Sequence, residues 1–173
     1  EKRHDSKTDG RRKVIYGLLG TPTSFDLEEA IANLEGGYDA LLTPSGLAAI
    51  NIALLAFLRP GDHVLVADSV YAWTRSFSDQ MLADLGVEVQ YYNPLVGADI
   101  ASLIRPKTRV IFLESPGSYT FEVQDIPAIT KVAREHQVTT ILDNTWATPL
   151  FFKSFEHGVD VSVHAATKYL DRK

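Results

Sequence analysis

The sequence predicts an α/β fold with three layers, α/β/α, in which helices cover both faces of a mostly parallel sheet. Short apolar runs of strand length alternate along the chain with segments of helical periodicity, which is typical of parallel strands joined by crossover helices. Apolar residues make up 45% of the chain and charged residues 23%, as in an ordinary globular protein. At 173 residues, the chain can bury a sizeable core.

The predicted elements are bounded by residues that favour helix ends and turns. Ser24 is a suitable N-cap for the first helix, which ends at Gly36. The continuous apolar run at 109–114 is typical of a strand buried on both faces. In chain order we predict a helix after Ser24, a strand at 40–43, a helix at 46–58, a strand at 64–67, a helix at 71–85, a strand at 87–92, a short helix at 98–104, a strand at 109–114, a helix at 126–136, a strand at 139–143, a helical piece near 151–156 and a strand at 159–164.

Composition narrows the classes of partner and site. The net charge is −5, so neither nucleic acid nor an anionic membrane surface is expected as a partner. The chain has no cysteine, which excludes disulfides, thiolate metal sites and a cysteine nucleophile and is compatible with a reducing cytoplasm. No apolar run approaches the length of a membrane span, and the five histidines have no metal-ligand spacing. We therefore predict a cytoplasmic protein without a metal site.

Two strand ends carry residues with chemistry. Lys168 follows the buried strand at 159–164, and Asp143 ends the strand at 139–143. The carboxyl ends of parallel strands line the ligand crevice of such sheets. A lysine and an aspartate at that edge could supply a Schiff base and an acidic partner for a pyridinium nitrogen. Ser45-Gly46-Leu47 turns into a helix, whose N-terminal amides favour an anion.

Six motifs occur in an order that resembles the Cys/Met-metabolism family of pyridoxal-phosphate (PLP) enzymes, which have fold type I. Within that family, the chain is most similar to the bacterial β-lyase branch. The resemblance extends from Tyr16 to Leu170. The motifs are Leu34–Gly37, Pro44–Ala49, Asn93–Ile100, Leu113–Ser118, Ile141–Ala147 and His164–Leu170.

The resemblance implies a role for each candidate site residue. Lys168 would bind PLP and then carry the proton of the substrate α-carbon, and Asp143 would pair with the pyridine nitrogen. Tyr71 would stack on the cofactor and offer its hydroxyl for proton transfer. Further cofactor contacts are implied for the amides of Gly46 and Leu47 and the hydroxyl of Thr167 at the phosphate, and for Ser118 near the phenolic oxygen.

The resemblance also implies an oligomer and a longer parent chain. Tyr16 would bind the phosphate of a neighbouring subunit, although Leu18 occupies the position of the family's phosphate-binding arginine. The expected assembly is a homotetramer of two catalytic dimers. We expect an N-terminal arm at 1–22 and a PLP-binding large domain at 23–173, truncated within its mixed seven-stranded sheet and lacking the family's C-terminal domain.

The implied activity is carbon–sulfur lyase chemistry of transsulfuration and methionine biosynthesis: β-elimination of L-cystathionine to homocysteine, pyruvate and ammonia. The Glu-Ser-Pro-Gly-Ser segment at 114–118 favours this branch. Alternatives are a γ-lyase or γ-synthase of the same family, and an inactive fragment with its fold. Ser45, Asp143 and His164 occur in the order of an α/β-hydrolase triad, but the glycines of a nucleophile elbow do not flank Ser45. The sequence contains no Gly-x-Gly-x-x-Gly motif, so nothing in it supports a nicotinamide site.

Overall fold

A computed structural model describes residues 7–8, 11–12, 14 and 16–170 of the chain. The chain divides into two compact units between Leu42 and Thr43. The predicted division into an arm and a large domain, at 22/23, stays a prediction. Parts of that arm, including residues 1–6, lie outside the described residues.

The first unit contains a small antiparallel ladder and one long helix. Strands β1 (Lys7–Thr8) and β2 (Arg11–Arg12) pair with each other, and a 3-10 turn covers Gly17–Leu19. Helix α1 spans Pro22–Glu35 and ends as predicted at Gly36, whose φ of 71° is left-handed.

Helix α1 begins earlier than the sequence predicted. Its N-cap is Thr21, because Pro22 already occupies the first helical position. Ser24 lies within the first turn, where its Oγ accepts the N–H of Thr21 at 2.8 Å. The predicted N-cap therefore serves the helix start as the returning partner of a capping box.

The predicted strand at 40–43 is wrong. These residues have no regular secondary structure, and Leu41 and Leu42 are 57% and 43% exposed. The N–H of Leu42 donates to Oε1 of the buried Glu28 at 3.1 Å. A side chain of α1 therefore takes the hydrogen bond that a neighbouring strand would have supplied.

The second unit holds the sheet. Its helices and strands, in chain order, are α2 (Gly46–Phe57), β3 (His63–Ala67), α3 (Ala72–Phe77), β4 (Glu88–Tyr92), β5 (Thr108–Glu114), α4 (Ile126–Glu135), β6 (Thr139–Asp143), α5 (Thr148–Phe151) and β7 (Val161–Val163). Three of the predicted helical pieces differ in detail. A π-helical turn, Ser78–Leu82, follows α3, and Gly97–Leu103 is a 3-10 helix. The piece predicted near 151–156 divides into α5 and a 3-10 turn at Ser154–His157.

Five strands form one sheet in the order β4-β3-β5-β6-β7. Every neighbouring pair is parallel, so the predicted mostly parallel sheet is confirmed. The resemblance implied a mixed sheet of seven strands, whereas the described residues contribute five parallel ones. Buried apolar residues of β3, β5 and β6 form the centre of the core, because helices cover both faces.

The strand order fixes the layers. The chain moves from β3 to β4 in one direction and then returns past β3 to β5, β6 and β7. Because such crossovers are right-handed, the helices of the two directions lie on opposite faces. Helix α2 contacts α3, whereas α4 contacts the 3-10 helix Gly97–Leu103, which confirms three layers. The direction reverses between β3 and β5, and ligands of such sheets bind at this point, beyond the carboxyl ends of the strands.

No helix in the described part of the chain is long and apolar enough to cross a membrane. Within the same residues, no three histidine or carboxylate side chains lie close enough together to hold a metal ion.

Candidate active site

Lys168 and Tyr71 meet at the carboxyl edge of the sheet. Lys168 lies in the turn after β7, where its N–H donates to the carbonyl of Ala165 at 3.0 Å. Its Nζ lies 5.3 Å from the centroid of the Tyr71 ring, within the range of a cation–π contact. Both Lys168 and its neighbour Thr167 are exposed. The structure thus brings the two predicted catalytic residues together from the ends of β7 and β3.

The N-terminus of α2 packs against the same turn. A Cβ on Gly46 would lie only 2.5 Å from Ala165 Cβ and 2.9 Å from its Cα, so this close approach requires glycine. The oxygen of Ser45 accepts the N–H of Ala48 at 3.1 Å, as an N-cap does. Among the described residues, the N–H groups of Gly46 and Leu47 donate to no other group. Two amides next to the lysine turn are therefore available to an anion.

Asp143 ends β6 and is held at the same edge. Its side chain is buried, and its Oδ1 accepts the N–H of Thr145 at 2.9 Å. The hydroxyl of Thr145 in turn accepts the N–H of Ala165 at 2.9 Å. This chain of contacts ties the aspartate to the segment that precedes Lys168. No second hydrogen bond to the Asp143 carboxylate comes from the described residues, which leaves Oδ2 for a ligand.

Sequence reasoning missed Glu114 as an individual site residue. It ends β5, directly beside Asp143 in the register of β6, and is 3% exposed. Its Oε2 accepts the N–H of Tyr71 at 2.8 Å, and its Oε1 accepts the N–H and Oγ of Ser118 at 3.0 and 2.6 Å. The available signal was a charged residue at the end of an apolar strand.

Burial raises the pKa of the Glu114 carboxyl to about 7, and the charge of Asp143 adds to the rise. The hydrogen bonds from Ser118 and Tyr71 act in the opposite direction, because they favour the ionised form. Glu114 is thus a carboxyl whose charge changes near neutral pH.

Three aromatic rings at the rim were also missed. Trp146 contacts Phe121 and Tyr169, each at a centroid distance of 5.3 Å. The three residues come from the segments that follow β5, β6 and β7. No sequence spacing connects them, because they meet only when these strands lie side by side.

Tyr16 belongs to the first unit and is 65% exposed, and Leu18 is 85% exposed. The predicted contact of Tyr16 with a neighbouring subunit stays a prediction.

His164 lies at the end of β7, with its Nε2 3.2 Å from the Oγ of Ser162. Since the Ser45 hydroxyl caps α2, these residues do not support the triad alternative.

The site fits a cofactor that carries both a phosphate and a protonated aromatic ring. The N-terminus of α2 at Gly46, with its two available amides, suits the phosphate. The free oxygen of Asp143 suits a ring nitrogen. Lys168 supplies an amine beside the Tyr71 ring. The fold and the site together are typical of α/β enzymes that bind a cofactor through a lysine side chain.

The sequence profile described as "Cys/Met metabolism PLP-dependent enzyme" matches residues 1–172. The chain therefore belongs to the Cys/Met-metabolism family of PLP-dependent enzymes, and the cofactor predicted from the sequence, pyridoxal phosphate, is confirmed as that of the family.

Named relatives carry more than one activity. The chain is 43% identical, over 98% of its length, to the cystathionine β-lyase of Escherichia coli. It is 54% identical over 95% of its length to a Saccharomyces cerevisiae protein provisionally named a cystathionine β-lyase. It is also 46% identical over 96% of its length to an L-alanine/L-glutamate racemase of Wolbachia pipientis. The chain spans 43%, 48% and 41% of these relatives, respectively.

A solved structure from Campylobacter jejuni supports the fold and the cofactor. It is described as an O-acetylhomoserine (thiol)-lyase and contains a pyridoxyl-lysine group. It matches with a TM-score of 0.83 and 34% identity, over 90% of this chain and 39% of its own.

Proposed function

We propose that this chain is part of a PLP-dependent carbon–sulfur lyase that releases homocysteine, pyruvate and ammonia from L-cystathionine by β-elimination. The observation that carries the proposal is the position of Lys168, with its Nζ 5.3 Å from the Tyr71 ring and its turn against the N-terminus of α2. The choice of reaction is supported by the similarity to the Escherichia coli enzyme.

Each residue of the site would have a distinct task. When bound, PLP supplies an electron sink for the charge that develops at the substrate α-carbon. The Nζ of Lys168 would hold the cofactor and then remove the α-proton of the substrate. Asp143 would keep the ring nitrogen protonated through its free oxygen.

The remaining residues would bind and orient. The amides of Gly46 and Leu47, with the hydroxyl of Thr167, would hold the phosphate at the positive end of α2. The Tyr71 ring would stack on the cofactor, its hydroxyl close to the α-carbon. Ser118 would contact the phenolic oxygen.

The racemase relative and the thiol-lyase structure support alternatives with the same first step. A racemase also removes an α-proton but returns it to the opposite face without breaking a carbon–sulfur bond. A γ-lyase or γ-synthase acts one carbon further along the substrate. Catalytic incompetence of this chain alone is a further alternative, because it spans less than half the length of the relatives.

The proposal is tested by adding PLP to the purified chain and measuring the absorption band at about 420 nm that a lysine-bound cofactor gives. We expect the band in the wild type and not in Lys168→Ala. Cystathionine is then supplied and the keto acid identified: pyruvate supports β-elimination, whereas 2-oxobutyrate or a D-amino acid contradicts it. A band without any product supports the incompetent fragment.

We also propose that the protein forms a homotetramer of catalytic dimers, with residues 1–22 as an arm and 23–173 as the cofactor domain. Light scattering on the purified chain measures the mass directly. The cytoplasmic location stays a prediction.

A further inference from the structure

Glu114 has no task in the proposed mechanism, although it is the buried carboxylate at the switch point of the sheet. It ends β5 and is 3% exposed. The residues that precede it in the strand, Ile111, Phe112 and Leu113, are fully buried and apolar. A charged group in such surroundings is costly unless it is hydrogen-bonded, so its partners indicate why it is there.

Three donors converge on this carboxylate from two separate loops. The N–H of Tyr71 donates to Oε2 at 2.8 Å from the loop after β3. The N–H and Oγ of Ser118 donate to Oε1 at 3.0 and 2.6 Å from the loop after β5. A carboxylate accepts on both oxygens, whereas an amide side chain offers one acceptor and one donor. The geometry therefore requires an acid at this position.

The two loops that Glu114 joins also touch each other directly. A Cβ on Gly117 would lie 2.4 Å from the Oγ of Ser69 and 2.5 Å from its Cβ. The loop after β5 thus packs against the loop after β3 with no room for a side chain. Tyr71 lies two residues beyond this contact, immediately before α3, and its ring faces Lys168.

We propose that Glu114 is a positioning residue, whose carboxylate holds the backbone of Tyr71 and the side chain of Ser118 in the geometry that presents the Tyr71 ring to Lys168. This inference rests on the proposed function in so far as Tyr71 and Ser118 contact the cofactor. Glu114 is only 3% exposed, and the hydrogen bonds of its carboxylate go to Tyr71 and Ser118, so it acts through the two residues that it binds.

The control is Asp160, an exposed carboxylate that accepts a backbone N–H and a hydroxyl at the opposite edge of the sheet. Its Oδ2 accepts both the N–H and the Oγ of Thr140 at 2.8 Å, near the amino-terminal ends of β6 and β7. Since one oxygen accepts both bonds, the amide oxygen of Asp160→Asn can keep them, and the variant removes only a charge away from the site.

The first test is site-resolved hydrogen exchange on the chain without cofactor. In Glu114→Gln we expect exchange at the Tyr71 or Ser118 amide to accelerate by at least about tenfold, because the amide side chain satisfies only one of the two loops. In Asp160→Asn the amides of Tyr71, Ser118 and Thr140 should all keep their wild-type rates, because one amide oxygen can accept both bonds from Thr140. Wild-type exchange at both Tyr71 and Ser118 in Glu114→Gln would overturn the proposal.

The second test is PLP affinity, followed by the lysine-dependent absorption band. We expect the dissociation constant to rise by about tenfold in Glu114→Gln and to stay at the wild-type value in Asp160→Asn. Equal affinities in the two variants would overturn the positioning role. If the wild type itself gives no band, this chain does not hold PLP by itself, and the exchange test then decides alone whether Glu114 holds the two loops.

Glu114→Asp covers the case in which the glutamine variant does not fold. It keeps the charge but is one methylene shorter, so it cannot reach Tyr71 and Ser118 together. We expect faster exchange at one of the two amides, and wild-type exchange at both would contradict the proposal.

Discussion

Gly46 is the residue at which two segments far apart in the sequence come into contact. A Cβ there would lie 2.5 Å from that of Ala165, and the backbone Cα is also too close at 2.9 Å. Sequence reasoning identified Gly46 through its amide, as part of an anion site at a helix start. The closeness to the lysine turn could not be predicted, because it depends on where β7 ends relative to α2.

We predict that Gly46→Ala destabilises the chain and weakens PLP binding. The added methyl group overpacks a close contact, which costs about 1–3 kcal/mol. Urea unfolding measures the first effect and the absorption band at about 420 nm the second.

Gly17→Ala is the control for this substitution, because nothing lies within 4 Å of its added Cβ. Its free energy of unfolding should change by less than about 0.5 kcal/mol. The same loss in both variants would contradict a specific contact at Gly46.

Glu114 gives the chain a pH dependence of stability. Its pKa is raised from 4.5 to about 7, so the folded state binds the proton more tightly than the unfolded chain does. This contribution is fully present below pH 4.5 and is lost as the pH rises to about 7. In the wild type the free energy of unfolding should fall by up to about 3 kcal/mol over this window. We predict that this fall is absent in Glu114→Gln.

Urea unfolding at several pH values in that window compares the two proteins. An identical pH dependence in Glu114→Gln and the wild type would contradict the raised pKa.

At the scale of elements, local sequence signals predicted most boundaries and failed where a tertiary contact replaced them. β6 begins and ends where predicted, at Thr139 and Asp143. The region 40–43 has strand-like apolar residues, but Glu28 of α1 binds its backbone. Neither periodicity nor turn residues report such a side-chain contact. For the same reason the sequence did not indicate the role of Glu114, because its hydrogen-bond partners lie on two separate loops.

Substitutions of two N-cap residues, Ser45 and Asp125, can distinguish an effect on stability from an effect on cofactor binding. Each accepts the N–H three residues later at 3.1 Å, Ser45 for α2 and Asp125 for α4. We predict that Ser45→Ala and Asp125→Ala each cost about 1 kcal/mol of unfolding free energy. Only Ser45→Ala should weaken PLP binding, because the N-terminus of α2 packs against the turn that carries Lys168.

Parallel measurements of urea unfolding and PLP affinity test this pair. Equal affinities in the two variants would contradict an anion site at the N-terminus of α2.

At the scale of the molecule, the strand order decides what the site contains. The direction of the sheet reverses between β3 and β5, which marks the edge where ligands of such sheets bind, and the ends of β6 and β7 bring Asp143 and Lys168 to the same edge. The sequence predicted the parallel sheet and this edge, because strand ends could be recognised one by one. It could not predict the contacts across the edge, such as Trp146 with Phe121 and Tyr169, because these depend on strand order.

We propose that Lys168 is the residue that binds PLP. It is tested most directly by reducing the PLP-loaded chain with borohydride and locating the modified lysine by mass spectrometry. We expect the pyridoxyl group on Lys168, and no labelled peptide from this region in Lys168→Ala. Lys131→Ala, at an exposed position of α4, should label like the wild type. A pyridoxyl group on another lysine, or spread evenly over several, would contradict the assignment of this site.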